Sequence, residues 1–265
     1  MMTTTALRMV LLGACASALH AQATTTTKPP LFTRGDALWS AAFLAGSIAL
    51  STADVRIARS FSDTTRQTSF TRNFSKIQEG SLTLGNVALW GIGRLIRAPG
   101  LADVGFHAAE SVVLASVASQ IIRGPLGRSR PYDSGFSNQY DFHAFQGFGN
   151  FKYRAFPSIH SASAFAVATV YTMEAQRRSN AGWIVGPIAY ALAAGPGLAR
   201  MKTGQHWASD VLSGAFLGTL AGAKVVKYNH DVSPNNRINR FFLGPQNLQA
   251  AATANGLSLW LHRTF

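Results

Sequence analysis

Six segments rich in Ala, Leu, Val and Gly dominate the chain: residues 37–52, 81–96, 104–122, 158–175, 182–198 and 207–226. Each is long enough for four or more helical turns, and none alternates apolar with polar residues as a half-buried strand would. They predict an all-α fold, a bundle of about six core helices. With 265 residues, 47% of them hydrophobic, there is material for one substantial core. Near the C-terminus, residues 248–254 and 257–261 flank Asn255-Gly256, a preferred hairpin turn, so the short C-terminal extension reads as a β-hairpin. The expected organisation is a leader over residues 1–23, a linker over 24–35, the helical domain over 36–228 and the extension over 229–265.

Residues 1–23 read as an export signal. Arg8 precedes an almost wholly apolar run from Met9 to Leu19, and Ala21-Gln22-Ala23 offers a small-x-small cleavage site. That run is too short to span a bilayer, and a Thr-rich, Pro-containing linker follows. Cys15, the single cysteine, lies within it, so cleavage after Ala23 leaves no thiol. The expected location is periplasmic or extracellular, with membrane association and, as the alternative, integral membrane insertion. Of the six segments only residues 181–199 form an uncharged stretch of spanning length, and Pro187 and Pro196 interrupt it. Gly214, Gly218 and Gly222, four apart, give one helix a flat face for close packing, a device of membrane pairs and of tight soluble bundles alike.

Lys and Arg number 24 against 11 acidic residues, a formal charge of +13 that favours an anionic partner. The basic residues are scattered between apolar segments without an aromatic-interleaved stripe, which argues against nucleic acid. A phosphorylated small molecule, a lipid phosphate or a membrane surface remains. Oligomeric state has no signature in the sequence.

Three short clusters carry chemistry. Arg123 and Arg130 flank Gly124-Pro125-Leu126-Gly127, a turn that lets two guanidiniums converge. Pro157-Ser158-Ile159-His160 opens an apolar run, so Ser158 is a natural helix cap and the amides of Ile159 and His160 lie at a positive helix end. In the third cluster Arg200 precedes His206 and Asp210, which are four apart. On one helix face the carboxylate would hold the Nδ1 proton of His206 and turn a bare Nε2 outward. Taken singly, each cluster also reads as an ordinary cap, a surface histidine or a basic helix end. The aromatic, Gly-containing stretch of residues 132–156 between the first two clusters reads equally as a wall for substrate access and as a satellite core of rings.

Taken together, R-x6-R-P, P-S-x-H and R-x5-H-x3-D in this order resemble the type 2 phosphatidic acid phosphatase (PAP2) family. That family shares its fold and pocket with bacterial non-specific acid phosphatases and vanadium haloperoxidases. The resemblance covers roughly residues 81–226. It implies a metal-independent phosphoric monoester hydrolase with no cofactor; with the leader, the expectation is an exported enzyme acting on phosphomonoesters or lipid (pyro)phosphates through a phosphohistidine. His206 would be the nucleophile oriented by Asp210, His160 the general acid, and Arg123, Arg130, Ser158, the Ile159 amide and Arg200 the phosphate cradle. Three positions depart from the pattern: Arg123 stands for the usual Lys, Ile159 for a frequent Gly and Ala199 for a usual Ser. None removes a catalytic group. A vanadate-dependent haloperoxidase using the same pocket, and a non-catalytic bundle binding anionic lipid, are the alternatives.

Overall fold

The computed structural model describes residues 28–65 and 68–244 and the backbone of two C-terminal strands. The expected leader and its Cys15 lie outside the described residues. Helix α1 (Arg34–Ser51) starts at a capping box, in which Thr33 Oγ1 accepts from the Asp36 amide at 3.2 Å and Asp36 Oδ2 accepts from the Thr33 amide at 2.6 Å. After Thr52 and Ala53 the chain turns by 63° into α2 (Asp54–Phe61). Then come α3 (Ser69–Phe74), α4 (Glu79–Leu95), α5 (Pro99–Leu126), α6 (Ile159–Arg178), α7 (Gly182–Lys202), α8 (Ala208–Lys227) and α9 (Arg237–Phe242). Strands β1 (Gln246–Thr253) and β2 (Gly256–Arg263) pair antiparallel, Gln246 opposite Arg263 and Thr253 opposite Gly256. The bundle and the hairpin are those expected; Asn255 of the turn lies outside the described residues.

Helix α6 is the centre of the bundle, packed by α5, α7 and α8. Ala108 and Val112 of α5 meet Val167 and Val170 of α6 and Val226 of α8, and Ala115, Ala162, Ala166 and Ala221 form a second buried layer. The small residues set how closely the backbones approach. A Cβ on Gly214, Gly218 or Gly222 would lie 2.2, 2.0 or 2.6 Å from the carbonyl oxygens of Ser158, Ala162 and Ala166, so the flat face of α8 rests directly on the backbone of α6. Helix α1 closes over α8 through the stacked rings of Phe43 and Phe216, 4.4 Å apart, and through the Lys224 to Asp36 ion pair at 2.6 Å.

The outer faces are apolar. Leu38 (72% exposed) and Ile48 on α1, Val117 and Ile121 on α5, and Trp183 (80% exposed), Ile188 and Leu192 on α7 point away from the bundle. Helices α5 and α7 are long and apolar enough to cross a membrane, each with a mean hydropathy of 1.3, and the bent pair α1 and α2 passes the same test jointly. This is more spanning capacity than an uncharged-stretch count allowed. Glu110, which interrupts the uncharged stretch of α5, is half-buried, and Asn229 Nδ2 donates to its carboxylate at 2.7 Å.

The stretch of residues 132–156 is an ordered loop laid over the turn that ends α5. Gly127 makes that turn possible with φ of +59°. Its carbonyl accepts the His143 amide at 2.8 Å, the Arg128 carbonyl accepts the Ala155 amide at 3.1 Å, and the Lys152 carbonyl accepts the Arg130 amide at 3.2 Å. Tyr140, Phe142, Phe145, Phe148 and Phe151 remain exposed, so the loop is an aromatic outer wall and not a satellite core.

Candidate active site

The three sequence clusters meet at one end of the bundle. Arg123 arrives on the last turn of α5, Arg130 on the loop after Gly127, Ser158 to His160 at the start of α6, Arg200 on the last turn of α7, and His206 just before α8. All are buried or nearly so. The imidazoles of His160 and His206 face each other with centroids 6.4 Å apart.

His206 Nδ1 lies 2.7 Å from the carbonyl oxygen of Ala155. A carbonyl only accepts, so Nδ1 carries the proton and Nε2 keeps its lone pair. Asp210 was expected in this role, and the structure differs. The helix starts at Ala208 with Trp207 as its cap, which leaves His206 outside the helical register, and Asp210 Oδ2 stands 3.7 Å from Nδ1. Asp210 instead accepts the Trp207 amide at 2.7 Å and Arg128 Nη1 at 2.5 Å. Its contribution to His206 is the shape of the turn that carries it. Burial, and then Arg130, Arg200 and Arg123, hold the His206 pKa well below that of a free imidazole.

Ser158 caps α6 as expected: its hydroxyl accepts from the Ser161 amide at 3.4 Å and from Ser161 Oγ at 3.2 Å. The first-turn amides of Ile159 and His160 have no acceptor within the helix, as is true of every helix start, and are free to meet an anion. His160 Nδ1 is buried with no hydrogen-bond partner among the described residues. Burial, followed by Arg200, His206, Arg123 and Arg130, pushes the His160 pKa down to about 2.

The guanidiniums are aimed by few groups. Arg123 Nη2 donates to the Pro157 carbonyl at 3.2 Å, while its Nε, like that of Arg200, is buried and unpartnered among the described residues. Arg130 donates from Nε to the Phe151 carbonyl at 2.9 Å and lies over the Phe151 ring at 3.8 Å. Gln205 Oε1 accepts from both Arg130 Nη1, at 2.7 Å, and Arg200 Nη2, at 3.2 Å, tying the two forks together. Burial, and then the charges of Arg200 and Arg123, lower the Arg130 pKa to about 9, which a dianion held among the three would reverse. A divalent cation would meet the opposite field. Several donors left unpaired in a cationic pocket beside a bare imidazole nitrogen form a receptor for a tetrahedral oxyanion with a nucleophile on one side.

Four contributors escaped the sequence reading. Arg128 is the most connected: buried, it pairs with Asp210 and, at 2.8 Å, with Asp54 Oδ2, and donates to Ser209 Oγ at 2.8 Å. It stands between Arg123 and Arg130, and a third arginine in a Gly-Arg-Ser-Arg turn was the available signal. Asp54 sits on α2, far from any cluster, and the Ala155 carbonyl and Gln205 carry no motif.

The sequence profile of the PAP2 superfamily matches residues 105–233. Over 68 residues the chain is 43% identical to a lipid A 1-phosphatase of Porphyromonas gingivalis, a stretch covering 26% of this chain and 15% of that relative's length. No solved structure matches.

Proposed function

From the match of residues 105–233 to the PAP2 superfamily profile, we propose that the chain is an exported, membrane-associated phosphatase that hydrolyses lipid phosphates or pyrophosphates without a metal ion. His206 Nε2 attacks phosphorus in line with the departing oxygen. The P–O bond breaks as His160, protonated once the phosphate dianion is bound, donates its proton to that oxygen, leaving a phosphohistidine. His160 then takes a proton from water as the water oxygen attacks phosphorus, the P–N bond breaks, and inorganic phosphate leaves. Arg123, Arg130, Arg200, the Ser158 hydroxyl and the Ile159 and His160 amides neutralise the equatorial oxygens, where charge lies in the transition state. Asp210 and Arg128 act as positioning residues for the His206 turn.

The observation that carries this reading is the hydrogen bond between His206 and the Ala155 carbonyl, because it leaves the nucleophilic nitrogen unprotonated among three arginines. A lipid substrate is favoured by two apolar cavities of about 320 and 330 Å³ beside the site. Arg128, Phe142 and Phe156 border the first, and Pro157 and Phe216 the second, with Leu44 of α1 common to both. Acyl chains fit such grooves while the headgroup reaches the arginines. The name of the Porphyromonas relative, a lipid A 1-phosphatase, points the same way.

The test is phosphate release, in a chelator, from a lipid phosphate in mixed micelles and from p-nitrophenyl phosphate, with acid-labile, base-stable phosphate trapped on the protein. His206→Ala should abolish both release and trapping. Wild-type rates in that variant would sink the mechanism. Equal rates on both substrates, with no gain from detergent, would remove the lipid preference.

A further inference from the structure

The opposite end of the bundle gathers a second set of titratable side chains. His107 precedes Arg123 on α5 by sixteen residues, about 24 Å at 1.5 Å per residue. There Glu174, on the last turns of α6, accepts through one carboxylate oxygen from two histidines. His107 Nδ1 lies 2.6 Å from Glu174 Oε1, and His230 Nε2, from the widened turn at Tyr228–Val232 after α8, lies 2.8 Å from the same atom. Oε2 of Glu174 pairs with Arg178 at 2.6 Å. The two imidazole planes are nearly perpendicular, at 83°, with centroids 5.1 Å apart.

Two further observations point to a ligand. His107 is 1% exposed, and its Nε2 has no hydrogen-bond partner among the described residues. The same holds for Asn239 Oδ1, and His107, His230 and Asn239 all line one cavity of about 320 Å³. A buried polar atom without a partner costs about 1–3 kcal/mol, so two of them on one cavity mark a space suited to polar contents.

We propose that His107 Nδ1, Glu174 Oε1 and His230 Nε2 form a site for a divalent transition metal of the zinc class, its fourth position open to the cavity. These ligand atoms all lie within 4.8 Å of one another. Two imidazoles and one carboxylate suit zinc, cobalt, nickel or copper and not magnesium or calcium, which prefer oxygen. Metal–ligand bonds of about 2.0–2.1 Å set neighbouring donors about 3.3 Å apart in a tetrahedron. The histidines therefore withdraw from Glu174, His107 by about 0.7 Å and His230 by about 0.5 Å, as the ion enters between them. Of the two, His230 lies on the partly exposed turn and adjusts more freely than the buried His107. On binding, His107 moves its ring proton to Nε2, facing the cavity, and Glu174 keeps Arg178 as the outer partner that orients it. The ion would clamp α5, α6 and the segment leading to α9.

The experiment uses untagged full-length protein in detergent, stripped with a chelator, dialysed and titrated with Co²⁺, then Zn²⁺. The expected result is one Co²⁺ per chain with a visible d–d absorption band, displaced by Zn²⁺, and a rise in melting temperature on loading. His230→Gln should melt like the stripped wild type yet lose at least about tenfold in Co²⁺ affinity, with Glu174→Gln doing the same if it folds. No visible band and no thermal shift with Co²⁺, or unchanged affinity in His230→Gln, would overturn the proposal and identify the cluster as a closed hydrogen-bond network. Because the readout is metal binding, it is independent of whether the chain hydrolyses phosphate esters.

Discussion

His206 Nδ1 donates to the carbonyl of Ala155 at 2.7 Å, and this main-chain contact across 51 residues does the work that spacing suggested for a carboxylate. Asp210, four residues on, is committed to Arg128 at 2.5 Å. His206 is therefore oriented by the loop of residues 132–156, and the buried carboxylate anchors the loop's other side through Arg128.

Arg128 should behave as a structural keystone. It satisfies Asp54 and Asp210 together in the interior, and deleting one partner of a buried ion pair leaves uncompensated charge at a cost of about 3–5 kcal/mol. Arg128→Leu is expected to melt far below wild type and Arg128→Lys in between, measured by thermal unfolding in detergent. A Leu variant as stable as wild type would refute the role.

Gln205→Ala should loosen the cradle without unfolding it. Its side-chain oxygen takes one charge-assisted hydrogen bond from each of Arg130 and Arg200, each worth about 1.5–3 kcal/mol. Loss of one such bond corresponds to a roughly tenfold or greater weakening of oxyanion binding. Tungstate inhibition constants read this directly, and the far-ultraviolet spectrum and melting temperature should stay near wild type.

Oxyanion binding should take up a proton. In the free pocket burial, and then Arg200, His206, Arg123 and Arg130, push the His160 pKa to about 2, so it is neutral near neutrality. A dianion screens those cations and raises the His160 pKa, so the proton is bound with the ligand. Affinity then falls as pH rises through the ligand-bound pKa. Calorimetry with tungstate in buffers of different ionisation enthalpy should detect the uptake, and His160→Gln should abolish it.

Gly218→Val should disrupt the bundle at its centre. Even a Cβ would sit 2.0 Å from the Ala162 carbonyl oxygen, so α8 must move off α6, an overpacking cost of about 1–3 kcal/mol or more. Gly80→Val, where a Cβ meets nothing within 4 Å, is the matched control. Similar melting temperatures for the two would contradict the contact.

Much of the fold is legible in residue order alone. Apolar runs of helical length, the Ser158 cap and the Gly127 turn are short-range features, and the helices start and stop where that local chemistry demands. The flat glycine face of α8 was also readable, though not its partner α6. Membrane-spanning capacity was underread, because a count of uncharged residues treats Glu110 as an interruption, whereas α5 as a whole is long and apolar enough to cross a membrane.

The site divides in the same way. The sequence by itself determined which chemical groups are available, two histidines, three arginines and a capped helix start, because side-chain chemistry belongs to each residue wherever it folds. Tertiary structure decided which of them meet. Ala155 reaches His206, Arg128 claims Asp210 and Gln205 joins Arg130 to Arg200 only once the loop of residues 132–156 has closed over the bundle. At the far end His107, Glu174 and His230, separated by 67 and 56 residues, come together only through the packing of α5 and α6 with the turn after α8. Helical periodicity fixes the face a residue occupies, but the partner opposite that face is set by how the backbones pack, which no local pattern encodes.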